Sequence, residues 1–172
     1  MTYISSDTNV WIDFMIIDKL ELPFRLPYTY LMYKESIESE LLSPPDLKSR
    51  LTDSGLVAVD ITIEEFFLAE EYGTKYIRLS RYDRIALAIA KNRKLILLTG
   101  DGALRKAAQL ENVTVMGTIA ILDQLWKTKL ITDAEYGVCL QDLLAENGKA
   151  VRLPKADLES RIRSLNKLIP VK

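Results

Sequence analysis

Apolar residues fall along this chain in two alternating patterns: short continuous runs, and longer stretches in which they recur every three or four positions. The first pattern predicts strands and the second helices. Tyr3-Ile4 predicts a first strand ending in Ser6-Asp7-Thr8-Asn9, followed by a helix over Val10–Ile16 for which Asp7, Thr8 and Asn9 are all N-cap candidates. A loop from Leu22, marked by Pro23 and Pro27, leads to a second strand near Tyr30-Leu31-Met32. A helix over residues 34–42 stops at Pro44-Pro45, because proline cannot continue a helix. Leu56-Val57-Ala58-Val59 predicts a third strand. Thr62-Ile63-Glu64-Glu65 has the spacing of a capping box for a helix ending at Gly73. Ser80-Arg81-Tyr82-Asp83 opens a mostly buried helix through Ile85–Ala90, closed at Asn92-Arg93. Leu95–Thr99 is a continuous apolar strand of the kind a parallel sheet covers on both faces. After the turn Gly100-Asp101-Gly102 the pattern predicts a helix over 103–110 and a strand at Val113-Thr114-Val115. Helices near 118–128, 133–146 and 155–168 complete it.

Strands alternating with helices indicate an α/β/α sandwich on a parallel sheet. No repeat or low-complexity linker divides the 172 residues, a length suited to one domain. The last helices are expected to extend that domain.

Composition narrows the chemistry. Hydrophobic residues are 48% and charged residues 27% of the chain, and no apolar run approaches the roughly 20 residues of a membrane span. The segment Met1–Asp7 lacks the basic start and apolar core of a signal peptide. Cys139 is the only cysteine, which excludes an internal disulfide and a cysteine-based zinc site. Its neighbours Val138 and Leu140 suggest a buried thiol, and a reduced, cytoplasmic setting is expected. There is no histidine, so imidazole triads and histidine-ligated metals are excluded. Neither a phosphate-binding Gly-x-x-x-x-Gly-Lys loop nor Gly-x-Gly-x-x-Gly is present. Acid–base work therefore falls to carboxylates, lysine, tyrosine or a metal-bound water.

The net charge of −1 conceals an asymmetry. Residues 75–106 carry nine basic residues against Asp83 and Asp101, whereas residues 35–71 carry ten acidic residues against Lys48 and Arg50. Such runs are either solvated helix faces or a basic surface for a polyanion beside an acidic region that holds cations.

Open parallel sheets gather ligands at the carboxyl ends of their strands. Asp7 follows the first predicted strand and Asp101 the fourth. Asp83 lies in the first turn of its helix, and Glu40 lies on the helix after the second strand. Each also has a plain structural reading: Asp7 as an N-cap, Asp83 as the partner of Ser80 in a capping box, Asp101 as a turn residue, Glu40 as a surface acid. Were all four to converge, their repulsion would favour a hard divalent cation, Mg²⁺ or Mn²⁺, which can activate water and stabilise phosphoryl charge without histidine.

Order and spacing add a resemblance. Asp7-Thr8-Asn9-Val10 after a strand, the pair Glu40-Leu41, and Leu79-Ser80-Arg81-Tyr82-Asp83 leading into Leu97-Leu98-Thr99-Gly100-Asp101-Gly102 together resemble a PIN domain. The Ser-x-x-Asp helix joined to a Thr-x-Asp strand end is the most specific part. It is similar to the VapC-type nucleases, the toxin halves of toxin–antitoxin pairs. The resemblance implies a PIN-like three-layer α/β/α sandwich with a central parallel sheet of about five strands. It places a nuclease domain at 1–125 and a C-terminal helical extension at 126–172, packed on the same domain as in a longer subgroup. It implies a Mg²⁺- or Mn²⁺-dependent endoribonuclease acting on single-stranded RNA and leaving 5′-phosphate and 3′-hydroxyl ends. Asp7, Glu40, Asp83 and Asp101 would be the catalytic, metal-binding acids, with Glu38 an alternative to Glu40 by a register slip of two. Asn9 and Thr99 would support them, and Arg81, Arg84 and Arg105 are candidates for the RNA backbone. Gly100 departs from the Asn or Asp of many relatives. An antitoxin partner and a homodimer are also implied. The rival expectations are a non-catalytic PIN-like module binding RNA or protein, and an RNA-processing nuclease without an antitoxin. Phosphatase and receiver domains also place Asp after strands, but Asp7-Thr8-Asn9 lacks the Asp-x-Asp of the former. Ser6 stands where the latter needs an acid.

Overall fold

The structure is a computed structural model that describes residues 1–168. Five strands form one sheet: β1 (Thr2–Ser6), β2 (Tyr28–Tyr33), β3 (Val57–Val59), β4 (Ile96–Leu98) and β5 (Val115–Met116). Every pairing is parallel, and the order is β3-β2-β1-β4-β5. Parallel neighbours need a crossover, which the chain supplies as helices. These are α1 (Thr8–Ile16), α2 (Lys34–Glu40), α3 (Leu47–Ser54), α4 (Ile63–Lys75), α5 (Arg81–Arg93) and α6 (Gly102–Leu110). Three more helices follow β5: α7 (Thr118–Lys127), α8 (Asp133–Glu146) and α9 (Lys155–Leu168). The chain builds from β1 towards one edge and then returns to build the other, so the winding reverses between β1 and β4. In such sheets a crevice opens at that reversal, beyond the strands' carboxyl ends.

Alternate side chains of a strand face opposite ways, and two separate cores result. Ile4, Tyr30, Met32 and Leu98 pack with α1, α3, α7, α8 and α9 on one face. Tyr33 and Leu97 pack with α4, α5 and α6 on the other. Ser5 faces α5, where its hydroxyl donates to the Ala86 carbonyl at 2.9 Å. Two cores on a parallel sheet make the α/β/α sandwich that the alternating pattern predicts.

Several elements differ from the sequence expectation. α3 follows Pro44-Pro45, where the sequence pattern predicts no helix, and its Leu47 and Leu51 stand four apart and are both buried. It ends at Gly55, whose φ of 118° suits glycine alone among common residues. α4 runs through Gly73 to Lys75 instead of ending there. The glycine makes room for the Arg84 side chain, whose Nη1 would lie 1.9 Å from an added Cβ. α2 ends at Glu40, and β2 begins two residues before Tyr30. β5 starts at Val115, because the Val113 N–H donates to the Ala108 carbonyl (2.8 Å) and closes the end of α6.

The helices beyond residue 126 share the first core through Leu140, Leu143, Val151 and Leu158. Trp126 and Tyr136 stack with ring centroids 4.7 Å apart. Asp123 of α7 accepts from the Tyr136 hydroxyl at 2.6 Å and from Arg161 of α9 at 2.7 Å, fastening both helices. Residues 169–172, part of the expected extension, lie outside the described residues. No described helix is long and apolar enough to cross a membrane.

Much of the charge asymmetry is spent inside the fold. Glu65 of acidic α4 is 0% exposed and accepts from Arg93 of basic α5 at 2.6 and 2.9 Å. It also completes the predicted capping box with Thr62. Burial alone would raise its pKa, yet Arg93, the Thr62 N–H and Asn92 together hold it below the ordinary value. Removing Arg93 strands a buried carboxylate. Arg93→Ala should cost about 3 kcal/mol, the lower end of the range for breaking a buried pair, because the arginine is itself partly exposed. Urea unfolding checks this, and Arg93→Ala combined with Glu65→Gln should recover part of the loss.

Candidate active site

β1 and β4 end side by side, with Ser6 opposite Leu98. The next residues therefore emerge together at the reversal point. Asp7 is the N-cap of α1: its Oδ1 accepts from the Thr8 N–H at 2.7 Å, and its own N–H donates to the Leu98 carbonyl at 2.9 Å. Its Oδ2 accepts from the Thr99 hydroxyl at 2.8 Å. The same hydroxyl accepts from the Asp101 N–H at 3.1 Å, and Asp101 Oδ1 caps α6 by accepting from the Leu104 N–H at 2.7 Å. Asn9 Oδ1 accepts from the Gly100 N–H at 3.3 Å. The Thr8 hydroxyl donates to Glu40 Oε2 at 2.6 Å. One polar chain thus runs from Glu40 through Thr8, Asp7 and Thr99 to Asp101.

Asp83 enters from the other side. Its Oδ2 accepts from the Ser80 N–H at 2.7 Å in the predicted capping box. α2 and α5 are laced together there, with the Tyr82 hydroxyl donating to Ser39 at 2.9 Å and Arg81 to Glu35 at 3.1 Å. This lacing keeps Glu40 and Asp83 near enough for the charge of one to act on the other.

The electrostatics register this crowding. Burial, then the charge of Asp83, and more weakly that of Glu40, push Asp7 from 3.8 to about 7 against the opposing bonds from Thr99 and Thr8. Glu40 is raised by burial and by Asp83, against Thr8. Asp83 is raised by burial and by Asp101, against its Ser80 bonds and Arg84. The four acids therefore feel one another. Among the described residues, however, no three acids stand close enough to ligate one ion jointly. Asp83 Oδ1, Asp101 Oδ2 and Glu40 Oε1 accept no hydrogen bond from any described residue, so each carboxylate keeps an oxygen available.

The remaining expected residues separate. Glu38 is paired with Lys48 on the surface and takes no part in the chain through Thr8. Arg81 is exposed and committed to Glu35. Arg84 lies over Gly73 and donates to the Ser80 carbonyl at 3.3 Å. Arg105 borders the crevice and donates to the Thr99 carbonyl at 3.0 Å, in space that Gly117 leaves open. An added Cβ at Gly100 would meet nothing within 4 Å, so the departure there removes no packing.

Two features escaped the sequence reading. Asp13 of α1, 7% exposed, accepts from the Thr118 hydroxyl at 2.6 Å, and burial pushes its carboxyl to about 6 against that bond. The α8–α9 connection carries Arg152 to the lining of a cavity that Asp13 and Asp101 also border. Both depend on contacts between segments far apart in the chain, and no local spacing signals either.

A family model described as a PIN domain matches residues 3–167, nearly the whole chain including the C-terminal helices. No curated protein and no solved structure matches significantly.

Asp7 makes stability depend on pH. Its carboxyl keeps a proton to about pH 7 in the folded chain, but only to 3.8, its ordinary value, when unfolded. Between those values the folded state binds more protons, so stability falls as pH rises from about 4 to about 7, by on the order of 3–4 kcal/mol. Asp7→Asn keeps the N-cap without the charge. In EDTA, urea unfolding should show this variant more stable than the wild type at pH 8 and no more stable at pH 4. Equal pH profiles would count against the buried-charge account.

Proposed function

This chain belongs to the PIN-domain family, a nuclease-type fold, and we propose that it is a divalent-metal-dependent endoribonuclease acting on single-stranded RNA. The observation that carries the reading is the polar chain Glu40–Thr8–Asp7–Thr99–Asp101, with Asp83 facing it and Asp7 pushed to about 7 by burial and by its acidic neighbours. A fold that only needed caps would gain nothing from raising the energy of a buried carboxylate. A cation relieves that cost.

The residues fit a hard ion. All the donors are oxygen; Asp7 is anchored through both its oxygens, whereas Asp83, Asp101 and Glu40 are each anchored through one and retain another. With no three acids within joint reach, the arrangement suits Mg²⁺ or Mn²⁺ held by one or two carboxylates, the remainder acting through retained water. Asp7, Asp83, Asp101 and Glu40 would hold it, and Glu40 is preferred to Glu38 because Thr8 ties it to Asp7. Bound there, the ion would supply Lewis acidity towards a phosphodiester.

The chain's own side chains do the rest. The Thr99 hydroxyl fixes the Asp7 carboxylate and the Asp101 backbone in one orientation. Asn9 steadies the turn at Gly100. Arg105, with no carboxylate partner among the described residues, offers positive charge to an RNA phosphate. The toxin role belongs to the same proposal: an edge with uncompensated negative charge is what a basic side chain of an antitoxin would block. The non-catalytic alternative has less support, since it gives the four coupled acids no purpose.

With Mn²⁺ and unstructured RNA, Asp7→Asn and Asp83→Asn should each lower cleavage at least about a hundredfold, while excess EDTA abolishes it. Thr99→Val should weaken Mn²⁺ binding by calorimetry about 10- to 100-fold, as the loss of a group supporting a ligand does. Cleavage that survives EDTA, or both Asp variants, overturns the assignment.

A further inference from the structure

Beside the carboxylates lies a cavity of about 740 Å³, within the size range of small-ligand pockets. Asp101, the one candidate metal ligand on its lining, and Arg105 border it. Arg152, Leu153 and Pro154 of the α8–α9 connection line it as well, as do Ile12 and Ile119. Residues of the C-terminal extension thus supply part of its lining.

The α8–α9 connection is firmly placed. Asn147 donates from Nδ2 to the Leu153 carbonyl at 2.9 Å and accepts from the Leu153 N–H at 3.0 Å. The Gly148 N–H donates to the Val151 carbonyl at 2.9 Å, and Val151 is fully buried. Arg161 also borders the cavity, but its guanidinium is committed to Asp123, so it secures α9 and leaves anion binding to others. Arg152 differs. It sits between two anchored residues, is exposed, and makes no hydrogen bond or ion pair with any described residue. Its backbone is fixed while its charge is uncommitted.

Two further acids border the cavity, Asp13 bonded to Thr118, and Asp157 in the first turn of α9. The space therefore combines separated guanidinium groups, apolar side chains and carboxylate acceptors. A simple anion would need only the arginines. A nucleotide uses all three: phosphate oxygens on guanidinium, a base face on aliphatic side chains, and base N–H groups on acceptors.

We propose that this cavity seats one nucleotide of the RNA next to the cleaved phosphodiester, with Arg105 and Arg152 on its flanking phosphates. The C-terminal extension thus acts as part of the substrate site. This rests on the nuclease reading above, because Asp101 is shared between the cavity and the candidate metal ligands.

The test measures RNA binding in EDTA by fluorescence anisotropy, with short labelled single-stranded RNA of mixed sequence. Arg152→Glu should weaken binding about tenfold, the scale of losing a charge-assisted contact. Arg152→Ala should reduce the slope of log affinity against log salt by about 0.7, one phosphate contact on a single strand. Arg163→Glu, the same charge change at an exposed position of α9 outside the cavity, should leave affinity within about twofold. Melting temperatures should be unchanged, since Arg152 supports no contact in the fold. Mixed nucleoside 5′-monophosphates should displace the RNA at concentrations where inorganic phosphate does not. Equal effects at Arg152 and Arg163, or equal competition by inorganic phosphate, overturn the nucleotide site. If the wild type still cleaves RNA with Mn²⁺ in that case, the nuclease reading survives and only the pocket falls. A wild type that neither binds nor cleaves RNA removes both.

Discussion

The hydroxyl of Thr99 holds two carboxylate-bearing segments in one register. It donates to Asp7 at the end of β1 and accepts from the backbone of Asp101 beyond β4. Those strands are neighbours only because the sheet reverses its winding between them. The crevice, the acids on its rim and the cavity beside it all follow from that reversal. Thr99 is fully buried, so its hydroxyl must be satisfied within the protein, and these two partners satisfy it. A rigid support of this kind holds the carboxylates in set positions.

Charge in this protein divides into what the fold consumes and what it leaves over. Arg93 is consumed by Glu65, Lys75 by Glu111, Arg81 by Glu35 and Arg161 by Asp123. These pairs join α4 to α5 and α7 to α9, among others, and they explain why the basic stretch does not translate directly into a binding face. What remains near the crevice is negative on the rim and positive at Arg105 and Arg152. That combination suits a polyanion whose scissile phosphate is brought to a cation while its neighbours rest on arginine. In the C-terminal region α9 is fastened through Asp123 and Arg161, and the connection before it lines the cavity that Asp101 borders.

Much of the plan was readable locally. Alternating apolar runs and amphipathic stretches predicted every strand and most helices, because burial on both sheet faces leaves a mark residue by residue. Capping boxes at Thr62 and Ser80 appeared as predicted, since the motif is closed within four positions. α3 is not part of the local prediction although Leu47, Leu51 and Gly55 carry its pattern, because the two prolines before it signal the end of a helix. Gly73 reads locally as a helix end, whereas in the fold it makes room for Arg84 from α5, a tertiary contact.

The chain by itself therefore determined the parallel α/β class, the absence of histidine chemistry and the candidate acids Asp7, Asp83 and Asp101, each marked by a local cap or turn. Tertiary structure decided what no spacing could. It bonded Glu40, and not Glu38, to Thr8, and it buried Asp7 beside the charge of Asp83. It also brought Arg152 to a cavity beside Asp101, about fifty residues away in sequence. Caps, turns and strand periods are properties of a few consecutive residues, whereas burial, coupling between carboxylates and the walls of a pocket arise only when distant segments share one place.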